Sequence, residues 1–505
     1  MGVLAVYDTV GIQNYIFSSN KLAENVGASK LVADIFAEML PQIIAEITET
    51  EIFRWKDHEN KTLSENFIAE VIYEGGGNAY VAFDNECTFR KVTREFLMHV
   101  NSNVCDLGIA VAAIETDFAN TYKDDFRKLN DRLSLVKGGF NVPVHAGNQP
   151  ITKQSTRTGL PVSYIDKNIE YISEAQKQKR TRYDEYRKEM KQDDMDFDDL
   201  AFDKGSDSLI AIIHADGNNL GATIQRGMAN FDDYCDAVPR IRQLSKEIHC
   251  CYHGALERTK KAFEGAYEEY VATKQIEFPN KSFSKTPLLE LICDGDDITL
   301  LICGRFALDF AVHLLHEIEG TSNDNHSTAC AGVILFNSHY PFSEAYKLVE
   351  DLCANAKKNS RTHDGSYIDF HLHQSGRAVS LDSLRDRLYN VNGKSLLRRP
   401  WRITKGFEDE FPNFSWFAEN IAVISDMPRN KTKLIRNAIG IGDEEAQLAI
   451  NQLQRKKWPD FMLKPAIDKK TNEVIMSDYA AHFDILEMAD AYVNLLNKGG
   501  AGDDK

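Results

Sequence analysis

"LLELICDGDDITLLIC", residues 288–303, sets three aspartates and a glycine between two apolar runs. The flanks read as two half-buried strands, and Asp294-Gly295 is a strong hairpin-turn signal. A turn accounts for Asp294 and Gly295 but leaves Asp296 and Asp297 unexplained. Adjacent carboxylates at the root of a strand about to be buried find a partner, protonate, or cost several kcal/mol. A divalent cation suits several carboxylates at once; a solvated, acidic hairpin tip is the other reading of these residues alone.

The pattern around this hairpin occurs twice. "LAVYDTVGIQNYIF" (4–17) and "LIAIIHADGNNLGATI" (209–224) each give a strand, a polar glycine-containing turn and a helix-like run. A strand–turn–strand unit follows each: "VIYEGGGNAYVAF" (71–83) and the hairpin of residues 288–302. Another apolar strand comes next, "GIAVAAIETDF" (108–118) and "ACAGVILFNSHYPF" (329–342). Each half closes on an amphipathic helix ending in lysine, at Lys137 and at Lys357 and Lys358. Two split-βαβ, ferredoxin-like cores are the economical reading.

The copies differ where chemistry would sit. Gly75-Gly76-Gly77-Asn78 aligns with Asp294-Gly295-Asp296-Asp297, so one turn is bare and the other acidic. In this topology the end of the first strand lies beside the neighbouring hairpin, which predicts that Asp216 approaches Asp296 and Asp297. Three such carboxylates suit two Mg²⁺ or Mn²⁺ ions of the kind that clamp attacking and leaving oxygens in phosphoryl transfer. "ADGNNLG" opens a helix directly after that strand. Gly217 and Gly221, with Asn218 and Asn219 between them, would let backbone N–H groups approach phosphates. Lys357 or Lys358 would neutralise a triphosphate.

The bulk composition sets limits. The 505 residues suggest about three domains. The chain is 43% apolar, enough for large cores, and its net charge of −17 argues against extensive duplex nucleic-acid binding. Nine scattered cysteines without a C-x-x-C pair fit a reduced, cytoplasmic protein. No apolar run approaches the length of a membrane span.

"HADGNNLG", "CDGDDITLLI", "AGVILFNSHYPFSEAYKLVEDLCANAKKNS" and "LLRRPW" resemble the catalytic Palm of the large subunit of type III CRISPR effector complexes. "YDTVGIQNYIFSSNKLAENVGASKLV" and "YEGGGNAYVAF" resemble that subunit's first, acid-poor Palm. The resemblance covers most of residues 1–400 and implies an α+β chain with two nucleotide-cyclase-type Palm domains and a helical C-terminal domain. The expected boundaries are a first Palm at 1–150, a charged helical linker at 151–205, the catalytic Palm at 206–400 and the helical domain at 401–505. The resemblance further implies that Asp216, Asp296 and Asp297 bind the metals. Gly75, Gly76, Gly77 and Asn78 would line the pocket of a second nucleoside triphosphate, ATP by family likeness. The implied activity is nucleotidyl transfer to a short oligonucleotide signal, cyclic or linear, in antiviral defence. A nucleotide-sensing protein without catalysis, and a diguanylate-cyclase-like enzyme, are the alternatives.

Three departures from the family stand out. The first Palm begins at residue 1 with no HD-type nuclease ahead of it, "GNQPITKQSTRTGLPVSY" carries no zinc-binding cysteines, and Asp294 replaces the first glycine of the turn. A shorter synthase, standing alone or acting with a protein partner or phage-derived trigger, is therefore expected.

Other motifs have plainer readings. "HCCYH" (249–253) is expected to be a core helix, since no third ligand accompanies His249 and His253. His214 and His326 read as structural or surface residues, and Lys21 and Lys30 as solvated. "LLRRPW" would either anchor the Palm to the C-terminal region or contact a phosphate. The first part of 172–207 reads as a solvated helix, and 193–199 as a loop. The tail "NKGGAGDDK" is expected to be disordered.

Overall fold

The run "GVLAVYDTV" (2–10) is apolar at nearly every position because both faces of its strand are covered. The structure, a computed structural model, describes residues 1–139, 151–166, 169–190, 194–201, 208–274, 286–320, 327–374, 380–404, 413–425, 427–453 and 474–496. The chain divides into two compact units, each drawn from separate stretches. Residues 1–196, 219–253 and 291–297 form one, and residues 197–218, 254–290 and 298–505 the other.

In the first unit β1 (Gly2–Val10), β2 (Ala69–Gly75), β3 (Asn78–Phe83) and β4 (Gly108–Thr116) form a sheet of order β2-β3-β1-β4. β1 is antiparallel to both neighbours, with Val6 opposite Tyr80 on one side and Ala112 on the other. This is the strand order of a ferredoxin-like core. Leu4 and Val6 pack on one face with Tyr122, Leu129 and Leu133 of helix Tyr122–Gly138, and with Tyr234 and Ile241 of helix Tyr234–Lys274. On the opposite face Tyr7 meets Phe96 of helix Glu86–Asn103 edge-on, ring centroids 5.4 Å apart. Such a pair contributes about 1 kcal/mol beyond its burial.

Arg242, fully buried, ties the 234–274 helix to β2. Its guanidinium donates to the carbonyls of Ile72 (2.7 Å) and Val71 (2.9 Å) and to the Glu70 carboxylate (3.0 Å). The segment 151–201 adds a small hairpin, β5 (Tyr164–Ile165) and β6 (Tyr171–Ile172), and helix Glu174–Met190. That helix is not simply solvated. Lys179 is buried and donates to the Tyr15 carbonyl at 2.7 Å, and Arg180 pairs with the buried Glu24 at 2.6 Å. The charges that suggested a solvated face are partly spent on a packed one. Gly27 allows the approach, because a Cβ there would meet the Lys179 carbonyl oxygen at 1.8 Å.

The second sheet comprises β7 (Leu209–Gly217), β8 (Leu288–Asp294), β9 (Asp297–Cys303), β10 (Ala329–Asn337), β11 (Tyr367–Leu372) and a later strand, Trp401–Arg402. Its order runs from that last strand through β11, β10, β7 and β9 to β8. The four strands at one end of the sheet, β8-β9-β7-β10, repeat the order of the first sheet. The tip of the β8-β9 hairpin, residues 291–297, belongs to the first unit. Gly332 on β10 lets helix Phe342–Thr362 lie close, since a Cβ there would meet the Val349 carbonyl oxygen at 2.3 Å. The sheet continues past the duplicated core, as β11 pairs parallel to β10 and antiparallel to Trp401–Arg402. A two-residue ladder, β12 (Asn390–Val391) and β13 (Lys394–Ser395), precedes that last strand, which is β14.

Helices Phe414–Ser425, Arg429–Ile439, Asp443–Leu453 and Ala480–Met488 follow, the helical character expected after residue 400. The "LLRRPW" motif is an anchor to them. Arg399 is buried against Asp484 (3.3 Å) and Glu487, and the Trp401 indole donates to Asp484 at 3.0 Å. Among the described residues no helix is long and apolar enough to cross a membrane. The tail 497–505, His326 and Asp193 lie outside the described residues.

Candidate active site

β7 carries Asp216 to the last rung but one of its ladder with β10, opposite Cys330. Lys357, late in helix Phe342–Thr362, places its ammonium 2.5 Å from Asp216 Oδ2 and 3.1 Å from the Gly217 carbonyl oxygen. The next residue is committed to its own loop. The Asn218 side-chain amide donates to Thr328 Oγ1 (2.9 Å) and the Gly365 carbonyl (3.2 Å). Asn219, with φ +55°, precedes helix Leu220–Gly227, and Gly221 is exposed with open space around it.

The first sheet repeats the ion pair. Asp8, opposite Asn78 on β3, is held by Lys137 at 2.7 Å, again from the end of a helix. Burial raises the Asp8 pKa, and the hydrogen bond and charge of Lys137 oppose that rise.

The two turns use different backbones. Gly76 (φ +63°) and Gly77 (φ +76°) are both left-handed, as a type I′ hairpin demands. Gly77 is also confined, because a Cβ there would meet Ile12 Cδ1 at 2.3 Å. In the acidic turn Gly295 (φ +60°) alone is left-handed, the type II′ pattern, which leaves the next position free for Asp296. Asp294 reaches back from this turn to the bare one, its Oδ2 accepting from the Gly77 N–H at 3.1 Å. The departure from the family's glycine is thus a hydrogen-bonded tie between the two turns.

Beside them, within the first unit, lies a cavity of about 380 Å³. Trp55, Tyr73, Ile224 and Ile241 give it apolar walls; Asn78, His249, Asp294 and Asp296 give it polar ones. Asn78 Oδ1 is shut off from solvent with no hydrogen-bond partner among the described residues. Burial raises the Glu74 carboxyl pKa, Lys56 at 2.7 Å opposes this, and the Asp294 charge adds to it. The His249 pKa is lowered, first by burial and then by His253 and Lys56. Lys56 and Lys246 on the wall are already paired, with Glu74 and Glu59.

Of the residues singled out in the sequence, the structure brings Gly75, Gly76, Asn78 and Asp296 to one cavity, and Asp216 and Lys357 to one ion pair. Among the described residues no group of three or more His, Cys, Asp or Glu is gathered closely enough to hold a metal ion. The donor set nonetheless has the chemistry of a hard-cation site. At Asp216 a carboxylate and a carbonyl oxygen already surround a cation, the Lys357 ammonium.

Sequence reasoning missed Trp55, Tyr73, Ile241 and the cavity role of His249, because no short motif links positions so far apart. The core-helix reading of "HCCYH" is corrected. His249 and Cys250 are exposed, and the rings of His249 and His253 stack 4.9 Å apart along the helix surface. His249 and Cys250 border the cavity, while Tyr252 turns to the core. His214 is structural as expected, buried 3.1 Å from Thr299 Oγ1.

Residues 209–365 match the family described as Cas10/Cmr2, second palm domain. The fold is similar to the Csm1-Csm4 cassette in complex with cA4, with 13% identity and a TM-score of 0.55 over 97% of this chain and 69% of that one. It is also similar to the cassette in complex with AMPPNP (13%, 0.54, 97% and 69%). The Csm1-Csm4 subcomplex of the type III-A CRISPR-Csm interference complex gives 13%, 0.51, 97% and 69%. No curated protein matches the chain by sequence. The resemblance read from the motifs is borne out, in family for the second Palm and in fold for nearly the whole chain.

Proposed function

We propose that this chain, whose acidic hairpin lies inside a matched Cas10-type Palm, is a metal-dependent nucleotidyltransferase that joins nucleoside triphosphates into a short oligonucleotide signal. The observation that carries the reading is that hairpin: a type II′ turn presenting Asp296 and Asp297 within the span 209–365. Support for convergence comes from register. Ala215 of β7 pairs with Ile298 of β9, and Asp216 and Asp297 are the next residues outward on those strands.

Asp216, Asp296 and Asp297 would hold Mg²⁺ or Mn²⁺, which when bound neutralises phosphate charge and lowers the pKa of an attacking 3′-hydroxyl. Lys357 pairs with Asp216 and would meet triphosphate oxygens once metal and nucleotide are bound. Trp55, Tyr73 and Ile241 offer a planar base an apolar slot that excludes water, and Asn78 Oδ1 offers an acceptor for a base or ribose donor. A 3′-hydroxyl oriented there attacks the α-phosphate of the second nucleotide, forming the new P–O bond as pyrophosphate leaves and the hydroxyl proton passes to solvent or a carboxylate.

In this reading residues 1–150 hold one nucleotide, 206–400 carry the chemistry, and the charged segment 172–207 and the C-terminal helical region are where a protein partner or trigger acts. The neighbours named for cA4 and AMPPNP favour adenine nucleotides as substrates. Mass spectrometry of products, after incubation with each ribo- and deoxyribonucleoside triphosphate and Mg²⁺ or Mn²⁺, tests the proposal. An oligonucleotide made only with metal is expected, and no product from any triphosphate under any metal would refute it.

A further inference from the structure

At the opposite end of β7 from Asp216, within the second unit, lies a cavity of about 1170 Å³. Leu209 lines it, and seven strand residues at about 3.3 Å each put Asp216 roughly 23 Å away. Asn337 and Leu372, at the ends of β10 and β11, form one side, and helices Arg429–Ile439 and Ala480–Met488 contribute the other.

Its charge is unlike that of a chain with a net −17. Among the residues that line it, four cations, Arg305, Arg429, Lys433 and Arg436, stand against two acids, Glu487 and Asp490. Both acids are engaged: Asp490 with Arg429 at 2.7 Å, and Glu487 with Arg399 and the Tyr389 hydroxyl. Arg436 stands off from Glu487 at 3.6 Å, and Lys433 has no ion-pair partner among the described residues. A second feature points the same way. The Tyr340 hydroxyl, on the cavity wall, is buried with no hydrogen-bond partner among the described residues. Burial and the Glu344 charge hold its pKa above the ordinary range, so at neutral pH it is a donor without an acceptor. The Tyr340 ring lies 4.4 Å from that of His373.

We propose that this cavity binds a phosphate-bearing anion of nucleotide size, at a site separate from the candidate active site. Planar guanidinium, ammonium and hydroxyl donors together call for a ligand with several acceptor oxygens on one centre, which phosphate supplies. The volume accommodates a nucleotide with bridging water. The ligand would contact the ends of the Palm strands and the C-terminal helices at once.

The test is calorimetric titration of the full chain in EDTA with inorganic tripolyphosphate and, separately, with ATP. Chelation removes the cation that binding at Asp216, Asp296 and Asp297 requires. Wild-type chain is expected to bind both anions, and Asp296→Ala with Asp297→Ala to leave that binding unchanged. Lys433→Glu, on an exposed helix face, should weaken it at least about tenfold by replacing a charge-assisted contact with repulsion. Tyr340→Phe should weaken it about threefold. Tighter binding of ATP than of tripolyphosphate places the base beside Tyr340 and His373, and equal binding assigns the site to phosphate alone; either supports the proposal. Absence of binding, equal binding by Lys433→Glu, or its loss in the double aspartate variant overturns it.

Discussion

The two sheets hold the same four-strand order and the same ion pair, Asp8 with Lys137 in one and Asp216 with Lys357 in the other. They part at one two-residue turn. Two left-handed glycines make the first turn tight and chemically bare, whereas a single left-handed glycine in the second leaves room for an acid. Exposure diverges as well, since the Asp8 side chain is 11% exposed and that of Asp216 36%. The lesson is that the ion pair belongs to the scaffold, and that the two halves differ in backbone handedness and a few carboxylates at one turn.

The sharpest way to break this comparison is to bare the second turn. Asp296→Ala with Asp297→Ala should cut turnover at least about a hundredfold, some 3 kcal/mol of transition-state stabilisation, while the melting temperature holds. Full activity in that variant would mean the acids are not the difference. Next is to fill the first turn. Gly75 has no positive φ and nothing within 4 Å of an added Cβ, unlike Gly77. Gly75→Val should therefore fold normally, still bind one nucleotide by calorimetry, and lose about thirtyfold in turnover, roughly 2 kcal/mol. Two nucleotides bound with normal turnover would make the bare turn merely structural.

Parallel lysine variants separate scaffold from chemistry. Lys357→Ala should lower kcat/KM about tenfold, as loss of a charge-assisted contact does. Lys137→Ala should spare kcat/KM and cost about 1 kcal/mol in denaturant unfolding, because the lysine is part-exposed while Asp8 is buried. Equal kinetic losses would erase the distinction between the halves. The smallest effect is expected from Asp294→Ala, which removes the bond to the Gly77 amide. A hydrogen bond of about 1 kcal/mol corresponds to roughly fivefold, expected in KM and not in kcat. A fall in kcat alone would place Asp294 among the reacting groups.

Much of this was legible in the chain. Period, turn residues and duplication were sufficient for the ferredoxin-like order, because β1 and β7 are buried runs bounded by glycine turns. The lysines at the helix ends were visible too, though not that each would hold an aspartate. What stayed hidden depends on distance along the chain. β11 and β14 extend the second sheet without any echo in the first half, and no pattern joins Trp55, Tyr73 and Ile241 around one cavity. Charge misled once, when the 174–190 helix read as solvated. Lys179 and Arg180 lie among acceptors, the Tyr15 carbonyl and Glu24, that no local window contains.

The burial of Arg399 also sets an order in time. Its backbone N–H and guanidinium depend on Asp484 and Glu487, more than eighty residues downstream. At a synthesis rate of about 5 to 20 residues per second, those partners reach the ribosome's catalytic centre roughly 4 to 17 s after Arg399 does. Until then the Phe370 carbonyl is the partner already made for the guanidinium, and the rest of its donors have to remain hydrated. A nascent chain therefore cannot bury Arg399 against these acids until residues 484–487 have been made.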